Sequence, residues 1–309
     1  MKIAKRVFLF VATNILIIAT LSIVMSIFGI QPYLDAKGIN YQSLMIFCLL
    51  WGFGGAFISL ALSRVMAKWM MGVKIIEPDT RDLELSGLVL KVHGFARKAR
   101  LEIMPQVGYY EAEDLNAFAT GPTKNRSLVA VSTGLLRNMN ESELDGVLAH
   151  EVAHIANGDM VTMTLVQGIV NAFVMFLARV IGFFASQFVA EEKRPIVQFG
   201  IVIALEIALG VLGMIVVSAF SRRREYRADG GGASLSTPDN MISALERLKV
   251  NLQLPQVDEQ SAIASLKISG KASGLLKLFA THPNLDDRIA RLRIKQKTNH
   301  QNQRKMYHG

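Results

Sequence analysis

Four long apolar runs constrain what this chain can fold into. Within them only Arg179 and Glu206 carry a charge, and Arg64 closes the second run. About 20 consecutive apolar residues are enough for a helix to span the hydrocarbon core of a membrane. The hydrophobic share of 51% and the mean hydropathy of +0.31 also exceed those of ordinary soluble domains. The sequence therefore predicts four transmembrane helices, at residues 7–30, 43–64, 161–188 and 196–220.

The first run follows a basic start, with Lys2, Lys5 and Arg6. A secretory signal peptide begins in the same way, but its apolar core is about 7–15 residues long and ends at a small-residue cleavage site. This run is longer, and no Ala-x-Ala site follows it. It is therefore interpreted as a retained span.

The positive charges beside the runs predict an orientation, because Lys and Arg concentrate in cytoplasmic flanks. The N-terminal flank holds Lys2, Lys5 and Arg6, and three arginines (residues 222–224) follow the fourth run, whereas the connection 31–42 holds only Lys37. Both termini and the polar segments 65–160 and 221–309 are therefore expected in the cytoplasm, as two parts of one domain. The net charge of +9 fits such flanks. There is no nucleic-acid motif, so no nucleic-acid partner is expected.

Arg179 and Glu206 allow two interpretations. An ionisable group at membrane depth is costly and often functional, so the two could serve a transport pathway. They could instead pair with each other or reach towards the membrane surface, in a purely structural role.

The polar segments predict a mainly α fold with a small β-sheet. Asn140 with Glu143 three residues later is typical of a helix N-terminus, and Gly158 is typical of a helix stop. Short apolar segments between turn residues are typical of strands. Three such strands are predicted, at residues 102–107, 116–121 and 127–132.

The most specific motif lies on the helix that begins near Asn140. His150 and His154 are four residues apart, which places both rings on one helix face. Two imidazole nitrogens at this spacing can bind one Zn²⁺, and Glu151 beside them can act as a general base towards an attacking water. His-Glu-x-x-His is the zincin signature, although the five residues also occur by chance in other helices.

A hydrolytic zinc site needs a third protein ligand and an open position. Glu225 and Asp229 follow the fourth run and are also one helical turn apart. Glu225 can ligate zinc, and Asp229 can accept a hydrogen bond from a ligand imidazole. The alternative is a solvated acidic face beside three arginines. The glycines of residues 230–232 are expected to loosen the helix end after Asp229.

The stretches His150–His154 and Glu225–Asp229 together resemble the HtpX-type membrane metalloproteases, which are relatives of the CAAX-prenyl proteases. The segments Asn116–Gly121 and Thr281–Pro283 also match family stretches. The resemblance covers nearly the whole chain. It implies four transmembrane helices with a zincin-like metalloprotease domain in the cytoplasm.

The resemblance also implies roles for individual residues. His150, His154 and Glu225 bind one Zn²⁺, Glu151 is the catalytic base, and Asp229 supports a ligand. His282 stabilises the oxyanion of the tetrahedral intermediate, and Arg227 is expected near the site. An edge strand pairs with an extended substrate, as in β-strand addition. It comprises Asn116, Ala117, Phe118 and Ala119.

Family members are multi-pass proteins of the bacterial inner membrane that act in protein quality control, often under stress. The resemblance therefore implies a zinc endopeptidase for misfolded or damaged membrane proteins, with polypeptides and the lipid bilayer as its partners. Two alternatives stay open: a processing enzyme with one dedicated substrate, and a transporter with a vestigial metal site. The intact Glu151 counts against a vestigial site, because metal binding does not require it.

Overall fold

A computed structural model describes residues 38–253 and 280–307, together with Ile23, Ile27, Leu34 and Asp35. The predicted first span, 7–30, lies outside the described residues except for Ile23 and Ile27, which are both helical. The chain divides into two compact units, each built from two stretches that are far apart in sequence. The first unit comprises Met1–Ala61 and Thr162–Phe220, and the second comprises Leu62–Val161 and Ser221–Gly309.

Helices make up most of the described chain. Three of them are long and apolar enough to cross a membrane, with mean hydropathies of 2.0 to 2.6 over their most apolar windows. They contain the second and fourth apolar runs and all but the last two residues of the third, so these runs form helices as predicted. The described helices are α1 (Tyr41–Met70), α2 (Leu83–Lys98), α3 (Thr133–Asn138), α4 (Glu141–Asn157), α5 (Asp159–Ser186), α6 (Arg194–Leu235), α7 (Pro238–Gln253) and α8 (Leu285–Tyr307).

A small mixed sheet lies in the second unit, with the strand order β3-β4-β6-β5. Strands β4 and β6 are parallel, and the other pairs are antiparallel. In the described part of the chain β5 pairs with β6 alone, so it forms an edge of the sheet. A separate two-stranded hairpin lies in the first unit. The described strands are β1 (Leu34–Asp35), β2 (Gly38–Ile39), β3 (Lys74–Ile75), β4 (Gln106–Tyr110), β5 (Ala117–Thr123) and β6 (Arg126–Ser132).

The strands predicted at 116–121 and 127–132 are confirmed, as β5 and β6. The strand predicted at 102–107 is displaced along the chain: β4 starts only at Gln106 and ends at Tyr110, so the predicted residues 102–105 are not part of it. Ile103 is 53% exposed, and Pro105 cannot donate to a sheet ladder. Pairing therefore begins after the proline.

One face of this sheet packs against α2 and α4. Val129 and Val131 of β6 are fully buried against Leu148 and Val152 of α4 and Val92 of α2. Burial of this kind contributes about 1.5–3 kcal/mol per large aliphatic side chain. The core therefore holds α4 against the sheet. It also determines which way the opposite face of α4 points.

The two charges within the apolar runs pair with each other in the first unit. Nη1 of Arg179 lies 2.5 Å from Oε1 of Glu206, and the guanidinium also lies over the Phe47 ring. Both groups thus have a partner for their charge. This is the structural role considered above, and the contacts do not favour transport.

We expect each single substitution, Arg179→Met or Glu206→Met, to destabilise the protein by about 2.5–3.5 kcal/mol, because it leaves one charge unpaired at membrane depth. The double substitution should cost less than either single one, since neither charge then remains. Unfolding of the purified variants in detergent measures this. Additive losses in the double variant would show that the pair contributes nothing.

Candidate metal centre

Local signals place the His-Glu-x-x-His residues on one regular helix. Asn140 and Glu143 form a reciprocal capping box at the start of α4, and Gly158 closes its end in the left-handed conformation, with φ of 69°. Both boundary predictions are confirmed. His150 and His154 consequently lie on one face, with ring centroids 4.6 Å apart and Nε2 atoms 3.1 Å apart.

The third candidate ligand, the carboxylate of Glu225, reaches this pair from α6. Oε2 of Glu225 lies 3.5 Å from Nε2 of His150, and Oε1 lies 3.4 Å from Nε2 of His154. The Glu225 side chain is only 2% exposed, so it does not form the solvated face considered above. One ligand atom from each of the three residues lies within 4.8 Å of the others, close enough to share a metal ion.

The outer nitrogens of both rings face carboxylates. Nδ1 of His154 is 2.7 Å from Oδ2 of Asp159. Nδ1 of His150 is 3.1 Å from Oδ1 of Asp229, an ion-pair distance without the direction of a hydrogen bond. A carboxylate beside Nδ1 favours the tautomer that carries its proton there.

These contacts show that the residues fit a metal ion. With both Nδ1 atoms protonated, two Nε2 lone pairs and the Glu225 carboxylate converge within 3.5 Å in a buried space. Three acceptors this close repel one another unless a cation lies between them. A set of two imidazoles and one carboxylate is the donor set of a catalytic zinc site with an open fourth position.

A buried arginine supports the acidic residues of α6. Arg288 of α8 binds Asp229 through Nε at 2.8 Å and Nη2 at 2.5 Å, and its Nη1 lies 3.7 Å from Oε2 of Glu225. Burying such a charge is favourable only with good geometry and full pairing, which the two-pronged contact supplies. Asp229 therefore links His150 to α8.

His282 lies at the same centre, just before α8. Its Nδ1 is 3.1 Å from Oε2 of Glu225, and its side chain is 43% exposed. The structure therefore brings His282 beside the three candidate ligands and leaves it accessible from solvent. Glu151 is partly buried. It lines two cavities at this centre that His150 and His282 also line.

The segment of the proposed edge strand runs past the centre. Asn116, Ala117, Phe118 and Ala119 line a cavity together with both histidines. The Asn116 carbonyl accepts a hydrogen bond from the Ser132 amide at 2.9 Å, towards β6. Because antiparallel strands alternate the direction of their main-chain groups, those of Ala117 and Ala119 point to the free edge. No strand among the described residues pairs with them, so they can pair with another chain.

The glycines after Asp229 do not loosen the helix, and that expectation is wrong. Helix α6 continues without a break to Leu235. A Cβ atom on Gly231 would lie 2.8 Å from Cβ of Ala153, and one on Gly232 would lie 3.1 Å from the His150 backbone nitrogen. The glycines therefore let α6 cross α4 at close range, which brings Glu225 to the histidines.

A family model for peptidase family M48 matches residues 84–296. The chain belongs to peptidase family M48. The match covers most of both polar stretches of this M48 chain, from the start of α2 to the middle of α8. The proposed resemblance to the HtpX-type proteases is confirmed by close relatives. Proteins named Protease HtpX homolog from Bacillus pumilus and Bacillus subtilis are each 52% identical over 299 residues, or 94% of this chain and 99% and 100% of theirs.

A more distant relative and a solved structure agree with this assignment. The HtpX homolog of Methylacidiphilum infernorum is 47% identical over 295 residues. The crystal structure of S. mikatae Ste24p matches 94% of the M48 chain with a TM-score of 0.63 and 19% identity, which shows a common fold. The M48 chain spans 64% of the length of that chain. Family and apolar helices together identify an integral membrane metalloprotease.

The charges at the centre of the M48 chain shift the pKa values of its residues in opposite directions. Burial lowers the pKa of His150, but the carboxylates of Asp229 and Glu225 outweigh burial and raise it to about 9. Burial raises the pKa of Glu225, but its contacts with His150, His154 and His282 hold it well below the usual range. Without metal the centre therefore retains a proton, which a bound metal must displace.

Two residues of this M48 centre were missed by sequence reasoning, Asp159 and Arg288. Asp159 follows the Gly158 stop directly, so its only signal is its position five residues after His154. Arg288 is one of many basic residues near the C-terminus, and nothing local shows that it is buried. Arg227, which was expected near the site, donates to Asp159 and so reaches His154 indirectly.

We expect Asp159→Ala to weaken zinc binding by about 10–100-fold, because the His154 ring loses the group that holds its Nδ1–H. Competition with a chromogenic chelator measures this affinity. Asp145→Ala is a matched control, since Asp145 is also on the second unit but pairs with Lys91 at 2.7 Å. Equal zinc affinity in both variants would exclude the supporting role of Asp159.

Proposed function

We propose that this chain is a zinc-dependent endopeptidase that cleaves misfolded or damaged membrane proteins at the cytoplasmic face of the bacterial inner membrane. One observation carries the proposal. Two imidazole nitrogens and a buried carboxylate converge beside Glu151, at a cavity that adjoins a free strand edge. The family assignment supports the protease activity, and zinc is the metal that suits this donor set.

The proposed chemistry follows from where each side chain lies. Zinc held by His150, His154 and Glu225 would supply a Lewis acid that polarises water and the peptide carbonyl. Glu151 takes the proton of the attacking water and passes it to the leaving amine. His282, beside Glu225 and partly exposed, can donate a hydrogen bond to the developing oxyanion.

Substrate would be held in an extended form along β5. The outward main-chain groups of Ala117 and Ala119 can pair with a substrate strand, whatever its side chains. Such binding requires a locally unfolded segment, because the main-chain groups inside a folded helix or sheet are already paired. This requirement favours damaged proteins as substrates, in keeping with a role in stress-linked quality control.

The proposed orientation rests on the distribution of Lys and Arg. The residues that follow the fourth run include Arg222, Arg223 and Arg224, directly before Glu225. Short basic flanks of this kind stay in the cytoplasm. The metal centre is therefore proposed to face the cytoplasm, with both termini on the same side.

The test uses the purified full-length protein in detergent with an unfolded, fluorescently labelled casein. We expect about one zinc per chain and cleavage that stops when a zinc chelator is added. Zinc, but not magnesium, should restore the activity, because the centre offers nitrogen ligands. Zinc-containing protein that cleaves nothing, or cleavage that is insensitive to the chelator, would contradict the proposal.

A further inference from the structure

One arginine lines the cavity that runs along β5 in the second unit. This cavity has a volume of about 290 Å³, and residues 116–119, both histidines of the metal centre and Arg224 form its walls. Arg224 is the only Lys or Arg among the described lining residues, and its side chain is 25% exposed. An arginine side chain stays protonated in proteins. A fixed positive charge therefore borders the space in which substrate is proposed to lie.

The guanidinium of Arg224 is only partly used by the protein. Its Nη2 lies 3.1 Å from Oε1 of Glu225. Its Nε is buried and has no hydrogen-bond partner within the part of the chain that the structure describes. Arg288 differs, because two of its nitrogens bind Asp229. Zinc on Glu225 would also draw on the charge of that carboxylate, which leaves the charge of Arg224 less compensated.

The position of Arg224 along β5 defines which part of a substrate it meets. Arg224 lines the cavity that reaches Phe118 and Ala119, and it is not among the described residues that line the cavity beside residues 115–117. Antiparallel pairing is the slightly more stable arrangement for an added strand. A substrate bound in this way runs opposite to β5, so its N-terminal part lies over residues 118–119. Arg224 is therefore on the side of the residues that precede the scissile bond.

A carboxylate is the substrate group that suits this position. It can accept two parallel hydrogen bonds from a guanidinium, an arrangement that an amide or a hydroxyl cannot match in strength. A substrate ammonium group would face a like charge there. The nearby carboxylate of Asp159 is already bound by Arg227 and faces the His154 ring, so it does not compete freely for Arg224.

From these observations we propose that Arg224 is a specificity-determining residue that binds an acidic side chain in the short segment before the scissile bond. This inference rests on the endopeptidase function proposed above and names a substrate preference. Strand pairing uses main-chain groups and is indifferent to side chains. Arg224 therefore selects among the unfolded segments that β5 can bind.

The first test uses the full-length zinc-loaded protein and quenched fluorescent peptides that carry Glu, Gln or Lys at one position at a time, on either side of the intended bond. We expect kcat/KM for Glu to exceed that for Gln by about tenfold at a position before the bond, the lower end for a hydrogen bond between charged groups. Lys should be the poorest of the three. Glu and Gln have nearly the same shape, so their ratio reports the charge. Mass spectrometry locates the cut.

The second test changes the arginine itself. Arg224→Gln should bring the ratio of kcat/KM for the Glu and Gln peptides close to one, and Arg224→Lys should retain part of the preference, because it keeps the charge but loses the planar fork. The ratio is measured within one enzyme preparation, so the fraction of active enzyme cancels. Arg223→Gln is the matched control: Arg223 is an exposed neighbour outside the described lining, and the preference should not change.

The outcomes distinguish this inference from the function on which it rests. If casein is cleaved in a chelator-sensitive manner but the wild-type protein shows no preference for Glu, or shows it only after the bond, the inference is wrong and the endopeptidase stands. A preference that persists in Arg224→Gln would assign the acid to another group and overturn the inference. An Arg224→Gln variant that cannot be loaded with zinc would assign Arg224 to the metal centre instead, which also overturns it. If zinc-loaded protein cleaves neither casein nor any peptide, both proposals fail.

Discussion

Glu151→Gln is expected to lower kcat/KM for peptide cleavage by about 10²–10⁴-fold, which is the contribution typical of a positioned general base. Gln has nearly the same shape as Glu but cannot accept the proton of the attacking water. Glu151 is not one of the three converging ligand residues, so the variant should still bind about one zinc per chain. Cleavage assays and metal analysis on the same sample measure both quantities.

The control for this variant makes the same substitution on the same helix. Glu141 lies at the exposed start of α4 and pairs with Lys91 at 2.8 Å. Glu141→Gln should keep both zinc and activity. A Glu151→Gln enzyme that cleaves at the normal rate would refute the assigned mechanism, whereas a variant that also loses zinc would place Glu151 among the ligands. An inactive variant that still binds substrate could also serve as a trap for its natural substrates.

Glu225→Ala is expected to remove zinc from the protein. Its activity should fall at least as much as that of Glu151→Gln. Without this carboxylate only two nitrogen ligands remain, fewer than the three protein ligands of a catalytic zinc site. Wild-type protein should gain about 2.7 kcal/mol of stability at a zinc concentration 100 times its Kd. The variant should show no such gain, and thermal unfolding with and without zinc measures the difference.

Two further variants separate the ligand role of Glu225 from its charge. Glu225→Asp keeps the charge but shortens the side chain by about 1.5 Å, one C–C bond, so zinc binding should weaken without vanishing. Glu246→Ala is the control: it removes an exposed carboxylate that pairs with Arg293 at 2.5 Å, and zinc binding should not change. Zinc retained at one per chain in Glu225→Ala would exclude it as a ligand.

Much of the candidate site could be predicted because its determinants are local. The four-residue spacing of His150 and His154 places both rings on one face of any α-helix. The capping box and Gly158 then define where that helix starts and ends. The apolar runs predict long helices from length alone, and they place Glu225 soon after the last run.

Other parts of the site depend on contacts between distant segments. Arg288 meets Asp229 across 59 residues of sequence, and no local pattern indicates which acid a given arginine will bind. The start of β4 shows the same limit on a smaller scale. Its apolar neighbour Ile103 fits a strand pattern but has no place in the packed sheet.

The glycines after Asp229 show most clearly what each level determines. By composition they suggest a weak helix end, because glycine lacks a side chain and has high backbone entropy. In the fold the missing side chains of Gly231 and Gly232 allow close contact with Ala153 and His150. The sequence by itself determined the long apolar helices, both ends of α4 and the identity of the candidate metal ligands, because these depend on neighbours along the chain. Only the tertiary structure decided how closely α6 crosses α4, and therefore that Glu225 meets both histidines, because close packing depends on surfaces that lie far apart in sequence.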